Sequence, residues 1–222
     1  MVSRCGSISV DRVVIRMGYK TEQEKFWAGE FGDAYIERNK SQELKASNIN
    51  FFAGTLAKSQ QINTILEFGS NIGMNMLALE ALYPKAKKTA VEINEKAAGL
   101  LKEAMPQVRV LNESILDFQP VEKFDLVFTK GVLIHISPEH LSAIYKKIVG
   151  CSKRYILIAE YFNPRPVTME YRGHDEKLYK RDFCGDLLDS YDLDLIDYGF
   201  SYKRDPKFRQ DNINWFLLEK KK

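Results

Sequence analysis

The stretch ILEFGSNIGMNML, Ile65 to Leu77, sets one acid, two glycines and two asparagines at alternate positions: Glu67, Gly69, Asn71, Gly73 and Asn75. An apolar run that enters a glycine turn and then a helical pattern puts backbone N–H groups at the ligand end of a strand. Gly69 permits the tight turn, and Gly73 lets the helix pack close. Asn71 is tolerable between them because asparagine enters the left-handed region more readily than other residues with a side chain. Ser70 completes the turn. A dinucleotide site wants G-x-G-x-x-G against a pyrophosphate, and that pattern is not met. Glu67, just ahead of the turn, would repel a pyrophosphate and welcome an ammonium group. The expected ligand carries a positive amino group and no phosphate. S-adenosylmethionine meets both requirements.

Three further strand ends fit the same ligand. Glu92, with Ile93, closes an apolar run at Ala90–Asn94, where its carboxylate can accept both hydroxyls of a ribose. Ser114 and Ile115 follow the next run, the serine suited to the amino edge of an adenine and the isoleucine to its face. Lys130 and Val132 follow the fourth, in the stretch Thr129 to Ile136, which passes beneath the reactive centre.

These residues need a scaffold of alternating elements. Strand-like runs fall at Thr64–Phe68, Lys88–Ile93, Val108–Leu111, Phe124–Thr129 and Tyr155–Tyr161, with helical runs at Gly73–Tyr83, Glu95–Met105 and Glu139–Val149 between them. The alternation predicts an α/β fold: a mostly parallel sheet with helices on both faces. Two more runs, Leu193–Tyr202 and Trp215–Glu219, lack an intervening helix, which predicts an antiparallel edge to a sheet of seven strands. Ahead of the sheet, 21–38 reads as two short helical pieces broken at Gly29 and Gly32, and Ser41–Ser59 as an amphipathic helix with Leu44, Ile49, Phe52 and Leu56 on one face.

At 222 residues and 45% hydrophobic, the chain can bury one domain's core. A formal charge of +3 without a dense basic run gives no footprint for nucleic acid. The three cysteines, Cys5, Cys151 and Cys184, have no metal-ligand spacing and read as reduced thiols of a cytoplasmic protein; no metal is expected. No apolar run reaches the roughly 20 residues of a membrane span. Residues 1–16 differ in character from the rest of the chain and read as a leader or start-site extension, with Met17 as the natural start. The expected division is 1–16 extension, 17–60 N-terminal helical cap and 61–222 catalytic domain.

The four strand ends, in this order, resemble the class I S-adenosylmethionine-dependent methyltransferases. The pattern at Glu67, Gly69, Asn71, Gly73 and Asn75 looks like a variant of their first motif, and the resemblance covers Ile62 to about Phe162. It implies a Rossmann-like fold, S-adenosylmethionine as donor and S-adenosylhomocysteine as product. Outside that half, Phe26 to Tyr35, Tyr161-Phe162-Asn163-Pro164, Tyr171-Arg172-Gly173-His174, Leu178 to Gly185, Asp197-Tyr198-Gly199-Phe200 and Trp215-Phe216-Leu217-Leu218 are distinctive. This set, from about Lys20 to Glu219, is similar to the methyltransferases associated with pseudaminic acid biosynthesis, whose genes accompany surface-glycan assembly. That likeness is an association and does not name a methyl acceptor.

The segment Asn163–Phe183 reads as a long polar loop on the ligand side, a lid within about 163–185. Its cations suit an anionic small molecule such as a sugar acid, with Arg172 and Arg181 as the favoured anchors. Trp27 and Tyr35 would shield the methyl donor or pack in the core. A hydroxyl acceptor needs a base: His174, in the lid, is the better candidate, His135 is a base or a packed histidine, and Tyr161 closes the fifth strand with Glu160. Methylation of a glycan-precursor sugar at oxygen or nitrogen is the expected reaction. A methyltransferase for protein or another metabolite, and a cofactor-binding module without catalysis, are the alternatives.

Overall fold

The computed structural model describes residues 18–39 and 41–221, so the expected extension at 1–16, Met17 and Cys5 lie outside the described residues. The strands are β1 (Thr64–Phe68), β2 (Lys87–Val91), β3 (Arg109–Leu111), β4 (Phe124–Lys130), β5 (Ser152–Glu160), β6 (Val167–Tyr171), β7 (His174–Lys180), β8 (Leu193–Ser201) and β9 (Ile213–Lys220). The helices are α1 (Glu22–Ala28), α2 (Glu30–Ile36), α3 (Gln42–Thr55), α4 (Met74–Leu82), α5 (Glu95–Ala104), α6 (Pro138–Cys151) and α7 (Phe183–Ser190). Among the described residues the main sheet has seven strands in the order β3-β2-β1-β4-β5-β9-β8. The first five are parallel; β9 runs antiparallel between β5 and β8, so the expected antiparallel edge is present.

Both faces of the sheet are covered, which is why β1, β4 and β5 read as nearly continuous apolar runs. Ile65, Leu126, Phe128 and Leu157 face α3 and α4 with Phe52, Ala78 and Leu79. Leu66, Phe68, Val127, Ile156 and Ile158 face α6 and α7 with Ile144, Ile148 and Leu187. Phe52 meets Phe128 edge-on at 5.3 Å, fastening α3 beneath β4. Caps set the helix starts. Ser41 Oγ accepts from Leu44 N–H at 3.0 Å, Asn94 Oδ1 from Ala97 N–H at 2.8 Å and Asp182 Oδ1 from Gly185 N–H at 2.7 Å.

The strand order reverses between β1 and β4, and a crevice opens there at the carboxyl ends of the strands. Two expectations need correction. The lid is not a loop: β6 and β7 pair as an antiparallel hairpin whose two turn residues, Arg172 (φ 53) and Gly173 (φ 84), both take the left-handed region. That is the backbone of a tight primed turn, and glycine at its second position favours it. The hairpin stands apart from the main sheet with Val167 and Met169 exposed, so the alternation of Val167, Met169 and Tyr171 along β6 does not mark a buried face. On α3, Phe51 joins Phe52 and Leu56 in the core with Ile49 packed against them, and only Leu44 of the expected face turns to the crevice.

Candidate active site

β1 ends at Phe68, and the chain turns through Gly69 (φ 73), Asn71 (φ 47) and Gly73 (φ 84) into α4. Asn71 adopts the left-handed conformation expected of it. The N–H groups of Gly69 and Ser70 donate to Val91 O at 2.8 and 3.2 Å, tying the turn to β2. A Cβ on Gly69 would lie 2.5 Å from Val132 Cγ2, and one on Gly73 2.2 Å from Leu101 Cδ1. Gly73 therefore admits α5, not the strand.

Two carboxylates flank this turn. Glu92, buried just past β2, accepts from Asn71 N–H through Oε2 at 2.6 Å and from Asn94 N–H through Oε1 at 2.7 Å. Each oxygen keeps a lone pair for a ligand hydroxyl. Glu67 is wholly buried; its Oε1 accepts from Asn75 Nδ2 at 2.6 Å and its Oε2 has no partner. Burial pushes Glu67 up to about 8, opposed by the Asn75 hydrogen bond and by Lys130. Burial in turn lowers Lys130, whose Nζ lies 3.4 Å from Asn48 Oδ1. An ammonium group held in the cavity at Asn75 would lie one hydrogen bond from Glu67 and favour its charge. A pyrophosphate would meet two buried acids.

A cavity of about 210 Å³ lies on these groups. Gly69, Ser70, Asn71, Asn75, Glu92, Ile93, Ser114, Ile115, Lys130 and Val132 all line it. Glu67 stands behind it, acting through Asn75. Ser114 Oγ is already engaged, accepting from Leu116 N–H at 3.0 Å. Asn112 Nδ2 donates to the carbonyls of Glu92 and Ile93 at 2.9 and 3.1 Å and holds that strand end in place.

The N-terminal helices close the cavity from above, and Trp27 and Tyr35 line it. Asn94 Nδ2 donates to Trp27 O at 3.3 Å and to Asp33 Oδ1 at 2.8 Å, so the residue that caps α5 also anchors the cap. Trp27 packs against His135 with ring centroids 4.6 Å apart, and His135 against Tyr171 at 4.8 Å, both pairs tilted rather than stacked.

The proposed bases separate. His135 lines the cavity, and its Nδ1 lies 2.7 Å from Lys177 O on β7. A carbonyl only accepts, so Nδ1 carries the proton and Nε2 the lone pair. Burial lowers His135 to about 4, and the imidazole is neutral at physiological pH. His174 is exposed at the start of β7 against Phe26 and Phe31 and does not line the cavity. Tyr161 is also off the lining; burial and its hydrogen bond to Asp211 raise its phenol. Glu160 serves the scaffold: its carboxylate accepts from the N–H groups of Val132 and Leu133 at 3.1 Å each, and burial raises it to about 7.

The two arginines separate too. Arg172 sits on the hairpin turn, hydrogen-bonded to Tyr171, with charge interactions reaching Tyr35 and Asp211. Arg181 is turned away. Its Nη2 donates to Asp186 Oδ1 at 3.0 Å, Nε lies 2.7 Å from Oδ2, and Tyr145 Oη donates to Oδ2 at 2.7 Å. That cluster borders a separate shallow pocket beside α6 and α7, so Arg181 is no acceptor anchor here: its charge is neutralised on α7. Asn48, Asn94 and Glu24 belong to the site and were not anticipated. The pattern Thr21-x-x-Glu24 is a legible capping box, but nothing in sequence places it over the cavity.

Among the described residues, no group of three or more His, Cys, Asp or Glu could hold a metal, and no helix is long and apolar enough to cross a membrane. Cys151 and Cys184 are free and buried.

Residues 65–154 match the family model described as a methyltransferase domain. None of the curated proteins matches the chain. Solved structures share the fold at low identity. Magnesium protoporphyrin IX methyltransferase from Synechocystis PCC 6803, with bound S-adenosylmethionine, is 13% identical with a TM-score of 0.63, covering 92% of this chain and 100% of that one. The plantazolicin methyltransferase in complex with S-adenosylhomocysteine is 11% identical with a TM-score of 0.64, covering 90% and 94%. A putative S-adenosylmethionine-dependent methyltransferase from Listeria monocytogenes is 16% identical with a TM-score of 0.59, covering 80% and 99%. Residues 65–154, the part that matches the methyltransferase-domain model, sit in a fold shared with S-adenosylmethionine-dependent methyltransferases.

Proposed function

We propose that this protein transfers the methyl group of S-adenosylmethionine to a small anionic acceptor, a sugar of the nonulosonic acid type. One observation carries the cofactor: two buried acids, Glu67 with an unpartnered oxygen and Glu92 with two half-used ones, flank the glycine turn. They suit an ammonium and a ribose diol and oppose phosphate. Lys130, on the cavity wall, takes the amino-acid carboxylate. When bound, the cofactor supplies an electrophilic methyl on sulfur, and the chain's work is alignment and exclusion of water. Trp27 and Tyr35 roof the reacting end. His135 Nε2 accepts the proton of an acceptor hydroxyl as the methyl arrives.

The acceptor reading rests on the sequence resemblance between Lys20 and Glu219 and on Arg172, on the hairpin turn, whose charge reaches Tyr35 on the cavity wall. The structural neighbours are named for magnesium protoporphyrin IX and plantazolicin, so the fold by itself selects no acceptor. Calorimetric titration with S-adenosylhomocysteine tests the cofactor. Micromolar affinity is expected for wild type, with a loss of at least about 100-fold in Glu92→Ala, which removes two charge-assisted hydrogen bonds. No binding to wild type refutes the reading. Mass spectrometry of sugar acids and nucleotide-linked sugars incubated with enzyme and donor tests the acceptor, and no gain of a methyl on any of them refutes that class.

A further inference from the structure

Glu24 is the unexplained acid of the cavity. It lines the space from α1 and is 6% exposed. Its Oε2 does the work of a capping box, accepting from Lys20 N–H at 2.5 Å and Thr21 N–H at 3.0 Å. Its Oε1 is buried without a hydrogen-bond partner. A capping role needs one oxygen only, and a carboxylate oxygen left dry and unpaired is destabilising. Its surroundings give its place. Lys20, four residues earlier, forms an ion pair with Asp117, so the start of α1 is pinned to the loop after β3. That loop contributes Glu113, Ser114, Ile115 and Leu116 to the cavity, the end suited to an adenine. Ser114, the residue expected at the amino edge of the base, already commits its hydroxyl oxygen to Leu116 N–H.

We propose that Glu24 Oε1 accepts the exocyclic amino group of the adenine, so that the N-terminal cap reads the base. The proposal rests on the cofactor reading above. It makes Glu24 a specificity determinant, and it ties occupancy of the base site to docking of α1, because one carboxylate serves the helix through Oε2 and the ligand through Oε1.

The test is a thermodynamic cycle by calorimetry. S-adenosylhomocysteine is compared with its analogue lacking the 6-amino group, which leaves the ring nitrogens unchanged. Both ligands are titrated into wild type, E24Q and E24M. Wild type is expected to favour the amino ligand by at least about tenfold, the value of a hydrogen bond to a charged acceptor. That preference should fall several-fold in E24Q and to near unity in E24M. The ratio is taken within one variant, so a general loss of cap stability cancels, and E24Q keeps the measurement usable if E24M is unstable. A preference that survives unchanged in a folded variant overturns the assignment while leaving the cofactor reading intact. Failure of wild type to bind either ligand overturns both.

Discussion

Glu67 makes the cofactor site a proton-linked one. In the free protein burial holds its carboxyl at about 8 against an ordinary value of 4.5. The charged groups around it are Lys130, which opposes the rise, and Glu92, which adds to it. At pH 7 such a group is about 0.9 protonated. A ligand ammonium held in the cavity beyond Asn75 favours the anion and should return the carboxyl to the ordinary range, so binding should release about 0.9 of a proton. Release on binding means that affinity rises with pH. Between pH 6 and pH 8 the gain is about 50-fold, and it levels off above pH 8. Titration with S-adenosylhomocysteine at pH 7, in phosphate and in Tris, measures this directly. The observed enthalpies differ by the number of protons released times the difference in buffer ionisation enthalpy. Glu67→Gln should abolish the difference. Tight binding with equal enthalpies in both buffers would refute the argument that an ammonium meets this acid.

The same linkage acts on the free protein. Glu67 and Glu160 are both raised, to about 8 and about 7, so the native state holds protons that the unfolded chain has lost above its carboxylate range. Stability without ligand should fall as pH rises from about 4.5 to 8, read from urea midpoints across that range. Gly69→Ala forces a left-handed alanine worth about 1–2 kcal/mol, with a clash against Val132 added; Val132→Ala should relieve the clash alone, seen as partial recovery of the urea midpoint. His135→Asn should lower kcat at least about 100-fold while S-adenosylhomocysteine binds within a few-fold of wild type, and the wild-type rate should show no acid limb near pH 6.5 because His135 protonates only near 4. Arg172→Ala should raise KM for the acceptor at unchanged cofactor affinity. Arg181→Ala should instead cost about 1–2 kcal/mol of stability through Asp186 and Tyr145, with acceptor KM unmoved.

The parts of the site legible in sequence are the local ones. Glu67, Gly69, Asn71 and Asn75 follow one another through the end of β1, the turn and the start of α4, and Glu92 and Ser114 each follow one short apolar run. Their places depend only on where a strand stops, and strand periodicity shows that. The same is true of β8 and β9, whose pairing is implied by the lack of a helix between them. The acceptor side obeys no such rule. His135 gains its tautomer from Lys177 O, a backbone atom 42 residues away on a hairpin strand, β7, that has no apolar alternation of its own. Arg181 loses its expected role to Asp186, five residues on, because α7 begins just after it and turns that acid back toward the guanidinium. Nothing in the run of cations from Arg165 to Arg181 distinguishes the arginine that is neutralised from the one on the hairpin turn.

The cap carries the same point into function. Asn94 is read easily as the start of α5, yet its second hydrogen bond, to Asp33, attaches α2 to the strand end that carries Glu92. Glu24 is read easily as half of a capping box, yet the residue also lines the cavity and keeps one buried oxygen without a hydrogen-bond partner. Asn48 looks like one polar residue on an amphipathic helix, yet it is 1% exposed and accepts from both Lys130 and Gln210, joining α3, β4 and the β8–β9 connection at one buried amide. Asn94 and Asn48 each add long-range bonds to a local place on a helix. Elements outside residues 65–154, among them α1 to α3 and the β6–β7 hairpin, therefore reach the cavity through single polar side chains and one imidazole. A ligand that engages Glu67, Glu92 and Lys130 draws on all of them at once, so cofactor binding should rigidify the cap and hairpin together. Loss of Asn94 Nδ2 alone, in Asn94→Asp, keeps the α5 cap and should release the N-terminal helices, visible as faster amide exchange across α1 and α2 with α5 unchanged.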